Sequence, residues 1–277
     1  MVIADLHLHT TASDGRLSPR ALVQFVAQRG IQFAAVTDHD STEGLAEAIE
    51  ESLLFPGLTI IPGIELGTDI PGSEVHVLGY WINYDNPHFQ TTLTHFRTGR
   101  KARAQQIIEN LAGLGIQVEW SRVVELAKGG AIGRPHIAQV MVENGYISQL
   151  QDAFDLYLGR NGLAYSERAK LTPEEAIRML IEVGGVPVLA HPLEGSDLSP
   201  LLPRLAKAGL MGIEVYYKNY THQQIKALKE HASALGLIAL GGTDYHAFGT
   251  PEEIEPGYSG PPMEEVNRLL SLRASPP

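Results

Sequence analysis

The sequence predicts an α/β fold, a parallel sheet or barrel carrying an all-helical insertion, and three observations predict it. Short apolar runs alternate with helical patterns up to residue 84, the strand signal lapses over 85–170, and the alternation resumes over 171–277. Repeated βα units with short connections lay their strands side by side in one sheet. Residues 1–84 and 171–277 are therefore expected to build one barrel, with 85–170 a helical domain set into it.

The elements follow in order. Residues 2–6 form a short strand that runs into histidines. Ser18-Pro19 supplies an N-cap and a first helical residue, and Gly30 stops the helix that follows. Residues 32–37 (QFAAVT) form a second strand, followed by a helix over about 43–54 that Pro56-Gly57 closes. Residues 58–62 form a third strand, and 64–69 with 75–82 form a hairpin around Pro71-Gly72. In the middle stretch one helix runs from Asn86-Pro87 to near Gly115, with shorter ones around 120–128, 134–144 and 148–158. Thr172-Pro173-Glu174 then opens a helix that ends at Gly184-Gly185, and 186–190 form a strand. A further helix, the strand 212–216, a helix over 222–235, the strand 237–240 and a last helix over 263–272 complete the pattern, with 274–277 a frayed tail.

Composition narrows the function. The chain has 277 residues, 44% hydrophobic and 19% charged, and a formal net charge of −11. That balance disfavours binding to double-stranded nucleic acid by blanket electrostatics. The charge is also divided: 85–170 hold ten basic and eight acidic residues, leaving eleven against twenty-four in the barrel. There is no cysteine, which removes disulfides, thiolate zinc sites and a cysteine nucleophile together and suits a reducing cytoplasm. The N-terminus shows no signal-peptide pattern, and no apolar run approaches the roughly 20 residues of a spanning helix.

The ligand-type side chains gather at strand ends. His7 and His9 follow the first strand, with Asp14 beyond; His39 follows the second, between Asp38 and Asp40. Glu65 follows the third, and His76 lies on the next strand. His191 ends another, and Asp244 and His246 follow the last. Barrel chemistry collects at the C-terminal ends of strands, where the loops converge. Unpaired imidazoles and carboxylates packed together would be costly, and metal ions supply the missing counter-charge. In His7-x-His9 both side chains leave one face of a strand and can chelate one ion. Imidazoles and carboxylates without sulfur suit Mn²⁺, Zn²⁺ or Fe²⁺ better than Ca²⁺ or Mg²⁺. So many groups exceed the needs of one ion, so two or three are expected, with a carboxylate such as Glu65 able to bridge. Clustered ions activate water and clamp phosphoryl oxygens, which makes phosphate-ester hydrolysis the expected reaction.

DLHLHT at 5–10, TDHD at 37–40, Glu65 in PGIEL, His76, AHP at 190–192 and TDYH at 243–246 resemble, in order, the motifs of the PHP (polymerase and histidinol phosphatase) family. The resemblance implies a distorted seven-stranded (β/α) barrel and a trinuclear centre, with Mn²⁺ favoured. By motif, His7, His9, Glu65 and Asp244 would hold one ion. Glu65, His76 and His191 would hold a second, and Asp14, His39 and His246 a third. Thr243 stands where many members carry serine, and Asp14 where several have histidine.

Asp14-Gly15, the helical insertion and GRPHIA at 133–138 are similar to PHP phosphoesterases acting on nucleoside 3′,5′-bisphosphates and short 5′-phosphorylated RNA. In that group Arg134 and His136 would grip substrate phosphate, and the planar guanidinium fork matches a phosphate. The leading expectation is release of the 3′-phosphate from nucleoside 3′,5′-bisphosphates, with 5′-3′ trimming of short RNA alongside. Glu65 and His191 would serve the chemistry at the reacting phosphate, and the proton for the leaving oxygen would come from a water or from the surroundings of His191. Histidinol-phosphate phosphatase is the alternative enzyme, and a metal-binding module without catalysis the alternative outside enzymes; the complete ligand set counts against the latter. Among the other polar residues, Arg97, Arg100, Lys101 and Arg103 read as a solvated helix face that can also steer an anion. Asp38 and Asp40 are expected to orient His39, and Glu214 to bond a ligand histidine. Ile107, Leu111 and Leu114 read as a packing stripe.

Overall fold

The computed structural model describes residues 2–71, 73–167, 171–194, 197–250 and 253–273. Its seven strands lie in chain order across one sheet. They are β1 (Ala4–Leu8), β2 (Phe33–Val36), β3 (Thr59–Ile70), β4 (Ser73–Tyr80), β5 (Val186–Leu189), β6 (Gly212–Glu214) and β7 (Ile238–Leu240). The β1–β2, β2–β3, β5–β6 and β6–β7 pairs are parallel, but β4 runs antiparallel to both β3 and β5. The sheet is therefore mixed rather than parallel throughout. A turn of a few residues can only reverse the chain, whereas a parallel return needs a crossover of about a dozen. The expected turn residue Gly72 lies outside the described residues, as does the expected tail 274–277.

The third strand and the first arm of the hairpin are one twelve-residue strand, not two. Pro62, where the sequence suggests an end, is the point at which β3 changes partner. Residues up to Pro62 pair with β2, and Gly63 onward pair with β4. The sheet then curls until the segment after β7 meets β1. Leu6 N–H donates to the Gly241 carbonyl (3.2 Å), and His9 N–H donates to that of Tyr245 (2.9 Å).

The helices are α1 (Pro19–Gln28), α2 (Leu45–Ser52), α3 (Pro87–Gly113), α4 (Trp120–Ala127), α5 (Arg134–Glu143), α6 (Leu150–Ala153), α7 (Pro173–Glu182), α8 (Leu198–Lys207), α9 (His222–Ala234) and α10 (Met263–Arg273). The expected α1 cap is present, with Ser18 accepting from Ala21 N–H. The helix expected over 148–158 is instead the single turn α6 followed by a π-helical turn, Phe154–Leu158. One apolar cluster lies under α1, α2, α7 and α8, joining Leu22, Val26, Ile64, Val77, Ile177, Leu180, Leu205 and Ile213. The helical segment has its own cluster, including Ile107, Leu111, Val123, Ile137, Met141 and Leu158. Leu114, expected in the stripe, is largely exposed where α3 ends. Among the described residues, no helix is long and apolar enough to cross a membrane.

Candidate metal centre

Two strands supply the floor of the site by simple alternation. β1 begins two residues later than the sequence suggests, so His7 lies within it and His9 just beyond, both fully buried and pointing the same way. Their rings lie 5.2 Å apart. On the neighbouring rim His39 forms an isolated bridge with Glu65, which carries the third parallel position to the same level. Because β4 is antiparallel, its beginning lies at the rim where its parallel neighbours end. That is why His76, near the start of its strand, joins residues from strand ends.

Glu65 is the hub. Its Oε1 lies 2.7 Å from His76 Nδ1 and 3.1 Å from His191 Nε2. Its Oε2 lies 3.2 Å from His7 Nε2, 3.3 Å from His9 Nε2 and 3.1 Å from His39 Nδ1. Asp244 Oδ1 lies 3.1 Å from His9 Nε2 and 3.4 Å from His7 Nε2. Asp14 faces His246 at 3.4 Å and His39 at 3.8 Å. All nine residues read from the sequence as ligands thus meet in one place.

The donor set fits divalent ions. Three groups have ligand atoms within 4.8 Å of one another: His7, His9, Glu65 and Asp244; His39, Glu65 and His76; and His9, Asp14, His39 and His246. His39 joins the second group, and His191 touches that group through Glu65 Oε1 and through His76 Nδ1 at 3.2 Å. Both nitrogens of His9, Nδ1 of His39 and Oδ1 of Asp14 are buried without a hydrogen-bond partner. Buried polar atoms are nearly always paired. Atoms that converge at 3–4 Å without bonding one another are arranged for a cation between them.

Without that cation the charges balance through protons. Burial pulls the His9 imidazolium down, but Asp244 and Glu65 outweigh it and raise its pKa to about 10. For His191 burial is likewise outweighed, chiefly by the bond to Glu65, and the value rises to about 9. At His39 burial prevails and lowers the value to about 3.

The surroundings orient these side chains. Glu214, fully buried, places Oε2 3.1 Å from His7 Nδ1 and accepts the His191 backbone N–H at 2.8 Å, fixing two ligands at once. Asp38 does not serve His39 as expected. It accepts from Thr10 N–H (2.7 Å), Thr10 hydroxyl and Ser13 hydroxyl (both 2.6 Å), and so braces the loop that carries Asp14. Asp40 binds the Arg100 guanidinium at 2.5 Å. Thr243 bonds Asp5 at 2.7 Å and stands back from the cluster.

Above the floor opens a cavity of about 1040 Å³. Its helical wall corrects the reading of α3 as a solvated face. Lys101 is exposed, but Arg97 pairs with Glu43, Arg100 with Asp40, and Arg103 with Glu74 at 3.2 Å. The α3 face looks onto the barrel rim, where these carboxylates are. Arg134, at the start of α5, donates to the other Glu74 oxygen at 2.5 Å and to the Leu158 carbonyl at 3.3 Å. Glu74 would resist ionisation through burial, but Arg134 and Arg103 hold it well below the usual carboxylate range. His136 is buried, and its Nδ1 accepts the Gly133 N–H at 3.0 Å, capping its own helix. Burial keeps it neutral by lowering its pKa, and the occupied Nδ1 leaves Nε2 to carry the hydrogen.

The sequence reading passed over Glu74, Tyr217 and Lys218, which line the same cavity. Glu74 had a signal, since it lies two residues before His76 on a strand and so shares its face. Tyr217 and Lys218 follow β6 at the rim where Glu214 ends that strand.

Comparison with known proteins agrees with this geometry. The PHP domain family model matches residues 5–159. The 5′-3′ exoribonuclease Rnm of Escherichia coli (strain K12) is 36% identical over 250 residues, covering 88% of this chain and 85% of that protein. The 3′,5′-nucleoside bisphosphate phosphatase of Chromobacterium violaceum is 32% identical over 261 residues, covering 90% and 89%. Among solved structures, a candidate metal-dependent phosphoesterase from Bifidobacterium adolescentis superposes with a TM-score of 0.88 at 29% identity, covering 97% and 96%.

Proposed function

The chain belongs to the PHP family and is a metal-dependent phosphoesterase, and from that premise we propose that it removes the 3′-phosphate from nucleoside 3′,5′-bisphosphates to give nucleoside 5′-monophosphates. One observation carries the proposal. A cluster suited to bind ions and a pair of arginines share one cavity, joined through β4, where Glu74 holds Arg103 and Arg134 and His76 meets Glu65. A substrate with two phosphates has a reacting group for the first and an anchor for the second. The relative named as a 3′,5′-nucleoside bisphosphate phosphatase supports this reading, and the one named as an exoribonuclease supports a nucleotide-type substrate.

The residues to hold the ions are His7, His9, Asp14, His39, Glu65, His76, His191, Asp244 and His246, with Glu65 presenting one oxygen to each side. Two or three divalent ions, Mn²⁺ foremost and Zn²⁺ or Fe²⁺ as alternatives, would supply an activated water and positive charge for the phosphoryl oxygens. Glu214 holds His7 and the His191 backbone, so the ligand rings keep their aim as charge develops. Arg134, with Nη2 held by Glu74 and Nη1 by the Leu158 carbonyl, offers the remaining N–H groups of its planar fork to the non-reacting phosphate. Arg103 adds a second charge beside it, and its Nη2 is buried without a partner. His136, expected to grip phosphate, is buried and does not line the cavity; its neutral ring caps the start of α5 and so supports Arg134 there.

Trimming of short 5′-phosphorylated RNA is a second reading favoured by the size of the cavity. It extends along α5 past Gln139 and Val142 to Ser148 and Phe154. Its 1040 Å³ stands at the top of the roughly 300–1,000 Å³ of small-molecule pockets, which leaves room beyond one nucleotide.

The test is a panel on Mn²⁺-loaded protein: adenosine 3′,5′-bisphosphate, 5′-phosphorylated RNA of a few nucleotides, histidinol phosphate and p-nitrophenyl phosphate. The bisphosphate should be turned over with the highest kcat/KM; preference for histidinol phosphate, or no turnover of any ester, would overturn the proposal. Arg134→Lys should lower kcat/KM on the bisphosphate by roughly ten- to a hundredfold, because lysine keeps the charge but loses the fork. On p-nitrophenyl phosphate, which has no second phosphate, the loss should be within about threefold.

A further inference from the structure

Among the described residues, five arginine and lysine side chains line the cavity, and four of them hold a carboxylate. Arg100 pairs with Asp40, Arg103 and Arg134 with Glu74, and Lys218 with Asp244 at 2.9 Å. The fifth is Arg16, which is exposed and has only neutral partners among the described residues. Its Nη1 donates to the Phe248 carbonyl oxygen at 3.2 Å, and its Nη2 donates to Gln139 Oε1 on α5. An arginine carries five N–H groups, so these bonds fix the plane of the guanidinium and leave donors over.

The position of that charge is tied to the metal centre. Arg16 follows Asp14-Gly15, and its backbone N–H donates to the His246 carbonyl oxygen at 2.8 Å. The guanidinium carbon lies 5.4 Å from the centroid of the Phe248 ring, which itself stacks on His246 at 5.0 Å. Nearby acids are engaged elsewhere. Glu253 accepts the backbone N–H groups of His246, Phe248 and Gly249 at 2.8–3.1 Å, and Glu143 is held by Arg122. Arg16 and the Glu74-bound arginines reach the centre through different residues, Arg16 through Asp14 and His246, the others through His76 on β4. Along α5, Gln139 is five residues beyond Arg134, a rise of about 7.5 Å. Neutral polar side chains, Ser148, Gln149 and Gln151, continue the wall.

We propose that Arg16 binds the first internucleotide phosphate beyond the bond that is cut, and so forms a subsite for the strand on the 3′ side of the reacting phosphate. In 5′-phosphorylated RNA, water adds its oxygen to the phosphorus between the first two nucleotides. The bond to the 3′-oxygen of the first nucleotide breaks, that oxygen takes up the proton, and the shortened strand keeps the phosphate as its new 5′ end. With the 5′-phosphate at Arg134 and the reacting phosphate at the centre, the next phosphate needs a cation on the far side of the centre. Arg16 is a cation there whose charge no carboxylate neutralises, and a guanidinium suits a phosphodiester. A 3′,5′-bisphosphate and a dinucleotide have no phosphate at that place, whereas a trinucleotide has one. This inference rests on the RNA-trimming reading above and adds a strand-binding residue to it.

The experiment uses Mn²⁺-loaded wild type, Arg16→Met and Arg16→Lys. The kcat/KM is measured on adenosine 3′,5′-bisphosphate, 5′-phosphorylated ApA and 5′-phosphorylated ApApA over a range of salt. Arg16→Met should lower the trinucleotide value about tenfold, the low end for a charged hydrogen bond because the side chain is exposed. On the bisphosphate and the dinucleotide the change should stay within about threefold. The log–log salt dependence for the trinucleotide should become shallower by about 0.7, the share of one phosphate contact on a single strand. Arg16→Lys should keep the salt slope and recover part of the rate, and thermal unfolding confirms that both variants fold. Equal losses on all three substrates would show that Arg16 only fastens α5 to the barrel and would overturn the inference. An unchanged trinucleotide rate or salt slope in Arg16→Met would overturn it as well. A wild type that cleaves the bisphosphate but leaves the trinucleotide intact would sink the RNA-trimming reading by itself. The affinity for the intact, 3′-labelled trinucleotide, read by anisotropy, then decides Arg16: weaker binding by Arg16→Met supports the subsite, and equal binding overturns it.

Discussion

Glu65 shows how one side chain can serve several partners. Its two oxygens divide five histidines between them, His76 and His191 on one side and His7, His9 and His39 on the other. Burial alone would push its carboxyl up, yet the imidazoles around it hold it well below the usual range, so it is an anion whether ions or protons balance it. Glu65→Gln keeps the volume and removes the charge. Turnover should fall by at least about a hundredfold, and metal per chain should drop, since losing even a residue that only supports a ligand costs roughly 10–100-fold. Activity above about a tenth of wild type would contradict the hub role.

At the scale of elements, the loop after β1 is as decisive as the strand. Its backbone folds tightly back, so that a Cβ on Gly15 would lie 2.5 Å from the His9 carbonyl oxygen. That contact is with backbone and cannot be relieved by a side-chain rotation. Gly15→Ala should therefore move the loop and, with it, Asp14. The expected cost is about 1–3 kcal/mol of stability, or a fall in Tm of roughly 2–4 °C per kcal/mol for a domain of this general size. Bound metal should decrease too. A variant with unchanged melting and metal content would show that the close approach is not required. The helical segment makes the same point from outside the barrel. Arg134 is placed by the start of α5, but its aim is set by Glu74 on β4, so neither element alone builds the proposed phosphate anchor.

For the whole molecule, the centre couples folding to protons and ions. In the ion-free chain His9 and His191 are raised from 6.5 to about 10 and about 9. A histidine raised on folding adds stability that is full below its unfolded pKa and is lost as pH rises through the folded value. The chelated protein should therefore melt at progressively lower temperature between about pH 6.5 and pH 10. Ions replace those protons, so binding should release protons, and Mn²⁺ should raise Tm by more at pH 8.5 than at pH 6.5. Calorimetric melts with and without chelator across this range test both trends. A chelated protein that grows more stable over the same interval would contradict the assignment of raised histidines.

The fold class, the strand-helix rhythm and all nine histidines and carboxylates of the centre were legible in the sequence. Period-2 alternation and punctuation by Ser, Pro and Gly are local, and ligand-type residues at strand ends declare themselves by type. What could not be read locally depended on partners distant in the chain. The hairpin was legible, but the antiparallel pairing of β4 with the distant β5, which sets His76 beside His191, was not. The change of partner at Pro62 joins two expected strands into one. The inward turn of Arg97, Arg100 and Arg103 depends on acids at positions 43, 40 and 74. Asp38 and Lys218 took their roles in the same way, from Thr10 and Ser13 in one case and Asp244 in the other. Sequence pattern determines which residues can bear charge at a rim. Only the packed chain decides which opposite charge each one meets, because those pairings are set by three-dimensional proximity and not by spacing.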